Sequence, residues 1–170
     1  MTISRYNTTR FIPKFNNTYF CTILSSGTLY IVPTPIGNLG DITYRAVEIL
    51  GTVDAVLAED TRQTKKLLDH YNIEKKLIPF HQHNEHKNLQ MVISKLQAGE
   101  NFAVCSDAGM PGISDPGYLL IREAIANDLQ VITLPGAVAA IVALVNSGLP
   151  CDTFVYEGFL PHKKGKQTKI

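Results

Sequence analysis

From Thr28 onward the chain alternates short apolar or β-branched runs with amphipathic stretches, in units of about 25 residues. A unit of that length holds a strand, a turn and a returning helix, so the pattern predicts βα repeats feeding a mostly parallel sheet. Five runs read as strands: 29–32, 55–58, 77–80, 102–105 and 131–134. They are almost continuously apolar, as expected where helices cover both faces of an α/β sheet. Leu89, Val92, Ile93 and Leu96 fall at i, i+3, i+4 and i+7, and Gly99 stands where a left-handed residue would end that helix. Val138, Ile141, Val142 and Val145 repeat the spacing, with Gly148 and Pro150 as the stop. Thr61 opens a helix carrying Leu67, Leu68 and Tyr71. Asp115 and Pro116 suit an N-cap and first turn leading into Tyr118, Ile121, Ala124 and Ile125.

The ends break this pattern. Residues 1–26 are rich in Asn, Thr and Ser, lack periodicity and carry three basic residues and no acid, which reads as a disordered extension. Residues 27–149 form the α/β domain. Beyond Pro150, Phe154, Val155, Tyr156, Gly158, Phe159 and Leu160 precede a lysine-rich end, and 150–170 is expected to be a linker and the start of a second domain that the chain cuts short.

Charge is segregated in the same way. The net value of +1 hides 9 Lys+Arg against 15 Asp+Glu between Gly27 and Pro161. Nucleic-acid binding rests on cations that neutralise phosphates, so the acidic centre is not expected to be the main grip on RNA. No apolar run approaches the roughly 18 residues that a membrane span needs. Cys21, Cys105 and Cys151 are far apart and lack a C-x-x-C pair, which suits reduced, buried thiols and a cytoplasmic setting.

Ligands of open parallel sheets bind beyond the carboxyl ends of the strands, so the residues that follow each run are candidates for chemistry. After the first come Pro33-Thr34-Pro35-Ile36-Gly37-Asn38-Leu39-Gly40-Asp41, a stiff loop with neither a G-x-G-x-x-G nor a P-loop. After the second come Glu59, Asp60 and Arg62, where Asp60 either caps a helix or joins Glu59 in walling a substrate site, and Arg62 either pairs with Glu59 or orients a substrate phosphate. His81, His83 and His86 follow the third, without a companion cysteine; hydrogen bonding to substrate is expected of His81, and no metal site is. The fourth ends in Ser106-Asp107-Ala108-Gly109-Met110-Pro111-Gly112-Ile113-Ser114-Asp115-Pro116-Gly117, whose glycines, prolines and short acids suit a backbone-lined pocket. The fifth ends in Pro135-Gly136-Ala137.

Taken in order, P-T-P-I-G-N-L-G-D, A-E-D-T-R with Thr64, S-D-A-G-M-P-G-I-S-D-P-G, P-G-A-V-A-A, S-G-L-P and Y-E-G-F-L-P resemble the ribosomal RNA small-subunit methyltransferase I family of the tetrapyrrole methylase superfamily. The resemblance runs from about Gly27 to Pro161. It implies methyl transfer from S-adenosylmethionine to the 2′-hydroxyl of a cytidine in small-subunit ribosomal RNA, by a homodimer whose cofactor lies between two domains. It also implies cofactor contacts, mostly through backbone, at Pro35, Asp107, Gly109, Ile113, Ser114 and Ala139. Val138 departs from the pattern, because relatives often place a small polar residue there. A ribose hydroxyl is a poor nucleophile until it loses its proton, and Glu59, Asp60 and Asp107 are the candidate bases. Two alternatives remain open: a methyltransferase of corrinoid or porphyrin precursors with the same cleft, and a half-site that binds without turnover.

Overall fold

The computed structural model describes residues 26–81, 84–113 and 116–158. Five parallel strands, β1 (Thr28–Ile31), β2 (Ala55–Ala58), β3 (Lys76–Pro79), β4 (Phe102–Cys105) and β5 (Gln130–Thr133), lie in the order β3-β2-β4-β1-β5. Two match the expected runs, and three begin and end one residue earlier. Every pairing is parallel, so the sheet is wholly rather than mostly so.

Side chains along each inner strand alternate between two cores. Leu29 and Ile31 of β1, Leu57 of β2, and Phe102 and Val104 of β4 face helices α3 (Glu85–Gln97) and α4 (Tyr118–Ala126), where Val92, Ile93, Leu96, Leu120 and Ala124 meet them. Val32, Val56, Ala103 and Cys105 face α1 (Tyr44–Thr52) and α2 (Thr61–His70) through Ala46, Leu50 and Leu68. A right-handed crossover requires this division: the chain steps one way across the sheet from β1 to β3 and back from β3 to β5, so the two helix pairs cover opposite faces. Coverage stops at the edges. β3 and β5 are only half-buried, contrary to the expectation that all five runs are enclosed.

Local sequence explains most helix boundaries. The Thr43 hydroxyl accepts from the Ala46 N–H and starts α1, a helix missing from the expected set although Ala46, Ile49, Leu50 and Val53 carry its apolar stripe. Asp60 caps α2 by accepting from the Arg62 N–H at 2.8 Å. Gly99 and Gly148, at φ of +97° and +70°, follow the ends of α3 and α5 (Ala139–Asn146) as the sequence predicts.

Three helix expectations need correction. Pro116 lies in a turn and α4 opens on Gly117 at φ +122°, with Asp115 outside the described residues. Its buried residues are Leu120 and Ala124, while Tyr118 and Ile125 face solvent. On α5, Ile141, Val142 and Val145 keep their periodicity, yet no residue of the helix is buried, because it follows the edge strand β5 and leaves the sheet. Residues 151–158 continue without regular structure, and Phe154, Val155 and Tyr156 within them are exposed, as is Leu149 before them. The amino-terminal 25 residues, Phe159, Leu160 and the lysine-rich end lie outside the described residues.

Candidate functional site

The strand order fixes where a ligand can sit. Adjacent strands β1 and β4 send their connections in opposite directions, to β2 and to β5, and a crevice opens between the two departing loops at the carboxyl rim. Thr34 and Gly109 bridge that crevice with reciprocal backbone hydrogen bonds of 2.9 and 3.0 Å. The Thr34 hydroxyl donates to the Ser106 carbonyl at 3.1 Å, and the Ser106 hydroxyl donates to the Gly109 carbonyl at 3.3 Å. Gly109 adopts φ +84°, and a Cβ there would stand 3.2 Å from Ile36 Cδ1 and 3.6 Å from the Ala137 carbonyl oxygen. Gly136 packs so tightly on Pro33 that a Cβ would fall 2.7 Å from the proline Cβ. The loops after β1, β4 and β5 therefore meet, and small residues stand where they do because backbone must approach backbone.

Charged groups line one side of this junction. The Asp107 carboxylate accepts the Asp60 N–H at 3.0 Å, and the Glu59 carboxylate accepts the Asp107 N–H at 3.2 Å. These two contacts tie the β2 and β4 loops together. Arg62 pairs with Asp60, at 2.7 Å from Nη2 to Oδ2, rather than with Glu59 as one reading of the sequence had it. The side-chain hydrogen bond from Arg62, reinforced by its backbone N–H, pulls the Asp60 carboxyl down from 3.8 to about 2. Asp60 is thus a helix cap with both oxygens engaged, and a weak proton acceptor. The Arg62 guanidinium is pushed above its ordinary value by that hydrogen bond and then by the charge of Asp60, with Asp107 adding to it.

A cavity of about 230 Å³ opens beside these groups, lined by Thr34 and Pro35 from the β1 loop, Gln63, Thr64 and Lys66 from α2, and Asp107. Pro35 and Asp107, both expected at a cofactor site, share this cavity, and Gly109 lies at its back through the bridge to Thr34. Ile113 and Ala139 lie further along their loops, the first nearly half exposed and the second opening α5. Ser114 and His83 lie outside the described residues. His81 is half-buried before α3, its backbone N–H donates to Asn84 Oδ1 at 2.8 Å, and it is not among the residues that line the cavity.

Sequence reasoning passed over two parts of this region. Gln63 and Lys66 belong to the cavity wall, which their positions one turn into α2 would have signalled once Asp60 was read as its cap. Glu85 is buried, and its Oε1 accepts the Gly117 N–H at 3.2 Å, pinning the end of the glycine-rich loop to α3. Periodicity carries no signal for such a contact. Of the cysteines, Cys105 is buried and desolvation pushes its thiol up to about 12, while Cys151 is exposed, contrary to the expectation of a buried thiol. Cys21 lies outside the described residues. No described helix is long and apolar enough to cross a membrane.

Curated bacterial proteins are similar to this chain in sequence. A protein of Escherichia coli O157:H7 named ribosomal RNA small subunit methyltransferase I is 54% identical over 147 residues, covering 86% of this chain and 51% of the relative. Its namesake in Synechocystis is 56% identical over 144 residues, covering 85% and 52%. The chain thus spans about half the length of the curated relatives it matches. A solved uroporphyrin-III-C-methyltransferase of Thermus thermophilus shares the fold, with a TM-score of 0.54 and 21% identity over 73% of this chain and 53% of the other. The family model for tetrapyrrole (corrin/porphyrin) methylases matches residues 28–169. With the parallel sheet, the three converging rim loops and a match over nearly the whole described region, the chain belongs to the tetrapyrrole methylase family.

Proposed function

We propose that this chain supplies the amino-terminal half of an S-adenosylmethionine-dependent methyltransferase that modifies the 2′-hydroxyl of a cytidine in small-subunit ribosomal RNA. The observation that carries the reading is the junction of the β1, β4 and β5 loops beside Glu59 and Asp107, in a chain more than half identical to proteins named for that RNA. The residues suit the cofactor. Gly109, without a Cβ and at a positive φ, leaves backbone open at the rim, Pro35 stiffens the facing loop, and the neighbouring carboxylates favour a sulfonium cation. Backbone at Pro35, Gly109, Ile113, Ser114 and Ala139, with Asp107, would hold it, and when bound it supplies an electrophilic methyl group.

The rest of the chemistry falls to this chain's own groups. Transfer to a hydroxyl is an in-line displacement, so the acceptor must be aligned, water excluded and a proton removed. In this reading Asp107, beside the cavity, takes that proton. Glu59 positions it through the Asp107 N–H, and Asp60, already engaged by Arg62, holds the start of α2. Arg62 stands largely exposed at the rim, where an RNA phosphate can reach it, and His81 serves the substrate further along the same edge. The exposed apolar face of α5 and residues 149–156 suit cover by a second domain, with 150–170 as the connection to it. On this proposal the working enzyme is a cytoplasmic homodimer acting on the small ribosomal subunit.

The test is complementation. This chain, alone and together with the carboxyl-terminal half of the Escherichia coli relative, is incubated with tritiated S-adenosylmethionine and small subunits lacking the modification. Label in the RNA that needs both halves, and that falls sharply in Asp107→Asn, is the expected result. Label only in an added tetrapyrrole precursor, or none from the paired halves, overturns the reading.

A further inference from the structure

Thr64 presents a problem that the fold by itself does not solve. The residue is 3% exposed, and its hydroxyl has no hydrogen-bond partner among the described residues. A threonine inside a helix ordinarily turns its hydroxyl back to the carbonyl four residues earlier. Here that carbonyl belongs to Asp60 and already accepts both the Gln63 and Thr64 N–H groups, each at 3.1 Å. A shielded hydroxyl without a partner is destabilising, and a valine of the same shape would remove the cost. Thr64 also lines the cavity of about 230 Å³ at the carboxyl rim, so a polar group entering there would meet it.

The rest of the lining says what kind of group. Pro35, Leu39 and Leu67 offer apolar surface suited to the face of a ring, and Asp107 brings a carboxylate that accepts hydroxyls and repels anions. Lys66 brings an ammonium that donates to the neutral Gln63 Oε1 at 3.3 Å and has no carboxylate partner among the described residues. Apolar surface, a hydroxyl acceptor and a cation within one small cavity match a single ribonucleotide better than a free anion or an apolar ligand.

We propose that this cavity seats one ribonucleotide of the acceptor strand, its sugar hydroxyls toward Thr64 and Asp107 and its phosphate toward Lys66. This rests on the reading of the chain as half of an RNA methyltransferase, and it assigns Thr64, Gln63 and Lys66 to the acceptor rather than to the cofactor.

The experiment is a titration of the isotopically labelled chain with cytidine 5′-monophosphate, its 2′-deoxy counterpart and inorganic phosphate, followed by amide chemical shifts. Cytidine 5′-monophosphate should move the amides of Thr34 and of residues 36–39, 63–67 and 106–107, and bind more tightly than the other two probes. Thr64→Val should weaken it by about fivefold to tenfold, the worth of one hydrogen bond, and Lys66→Met, which removes the cation facing the phosphate, should weaken it at least as much. Thr64→Val should also unfold at the same or a higher urea midpoint, because the hydroxyl has no structural partner to lose. A lower midpoint, equal binding of the deoxy nucleotide, or shifts from phosphate alone that match the nucleotide's would each overturn the assignment. Complementation separates this from the broader reading. Transfer to RNA with an unchanged KM in Thr64→Val sinks the cavity assignment alone, whereas nucleotide shifts at the cavity without any transfer sink the methylation and leave a nucleotide site.

Discussion

Replacing Gly136 by alanine tests whether the three rim loops are in contact. A Cβ at this position would lie 2.7 Å from Cβ and 2.9 Å from Cγ of Pro33, distances at which something must shift. Pro33 is buried at the end of β1, its ring cannot rotate away, and the neighbouring Thr34 is bonded to Gly109, so the strain passes into the β1–β4 bridge. Overpacking of this kind costs about 1–3 kcal/mol. In a domain of this size that lowers the melting temperature by about 2–4 °C for each kcal/mol. Gly51→Ala is the matched control, because a Cβ there, near the end of α1, meets nothing within 4 Å. Alanine should stabilise that helix by roughly 0.5–1 kcal/mol. Urea unfolding of the three proteins, followed by circular dichroism at equal slope, reads the difference directly. If Gly136→Ala is as stable as the parent while Gly51→Ala behaves as described, the β5 turn does not press on Pro33 and the site as drawn is wrong.

Further predictions concern charge, burial and loop anchoring. Asp60, held near 2 by Arg62, should contribute its full capping effect above its unfolded value of 3.8 and lose it as pH falls through about 2; a carboxyl NMR titration with its midpoint at or above 3.8 would contradict the Arg62 contact. Cys105, buried with its thiol raised to about 12, should resist iodoacetamide in the native protein and react once unfolded, whereas exposed Cys151 reacts at once, as peptide mass mapping would show. Glu85→Ala strands the Gly117 N–H and should cost about 1–3 kcal/mol, while Glu85→Gln keeps an acceptor and should recover more than half of the loss; equal losses in urea unfolding would deny that hydrogen bond any role.

Much of this molecule is decided by short-range pattern. Runs such as Ala55–Ala58 and Phe102–Cys105 are apolar on both faces, which only a strand enclosed between helices satisfies, and the βα spacing then makes the sheet parallel. The stops at Gly99 and Gly148 follow from the one residue that enters the left-handed region without strain. The rim motifs likewise announced themselves, because glycine, proline and short acids in such density suit little besides close backbone approach.

Strand order was beyond the reach of periodicity. Placing β4 between β2 and β1 is a choice among pairings with similar local energies, and it is what brings Asp107 to Glu59 and Gly109 to Thr34 across intervals of 48 and 75 residues. The same choice left β3 and β5 at the edges and α5 with its apolar side in solvent, although its spacing is as regular as that of the buried α3. Helical period reports that a face is apolar; only the packed sheet determines whether anything lies opposite it. Asp60 shows the converse: its cap to the Arg62 N–H and its ion pair with the Arg62 side chain lie within two residues and follow from local sequence, whereas its N–H reaches the Asp107 carboxylate only because β4 lies beside β2.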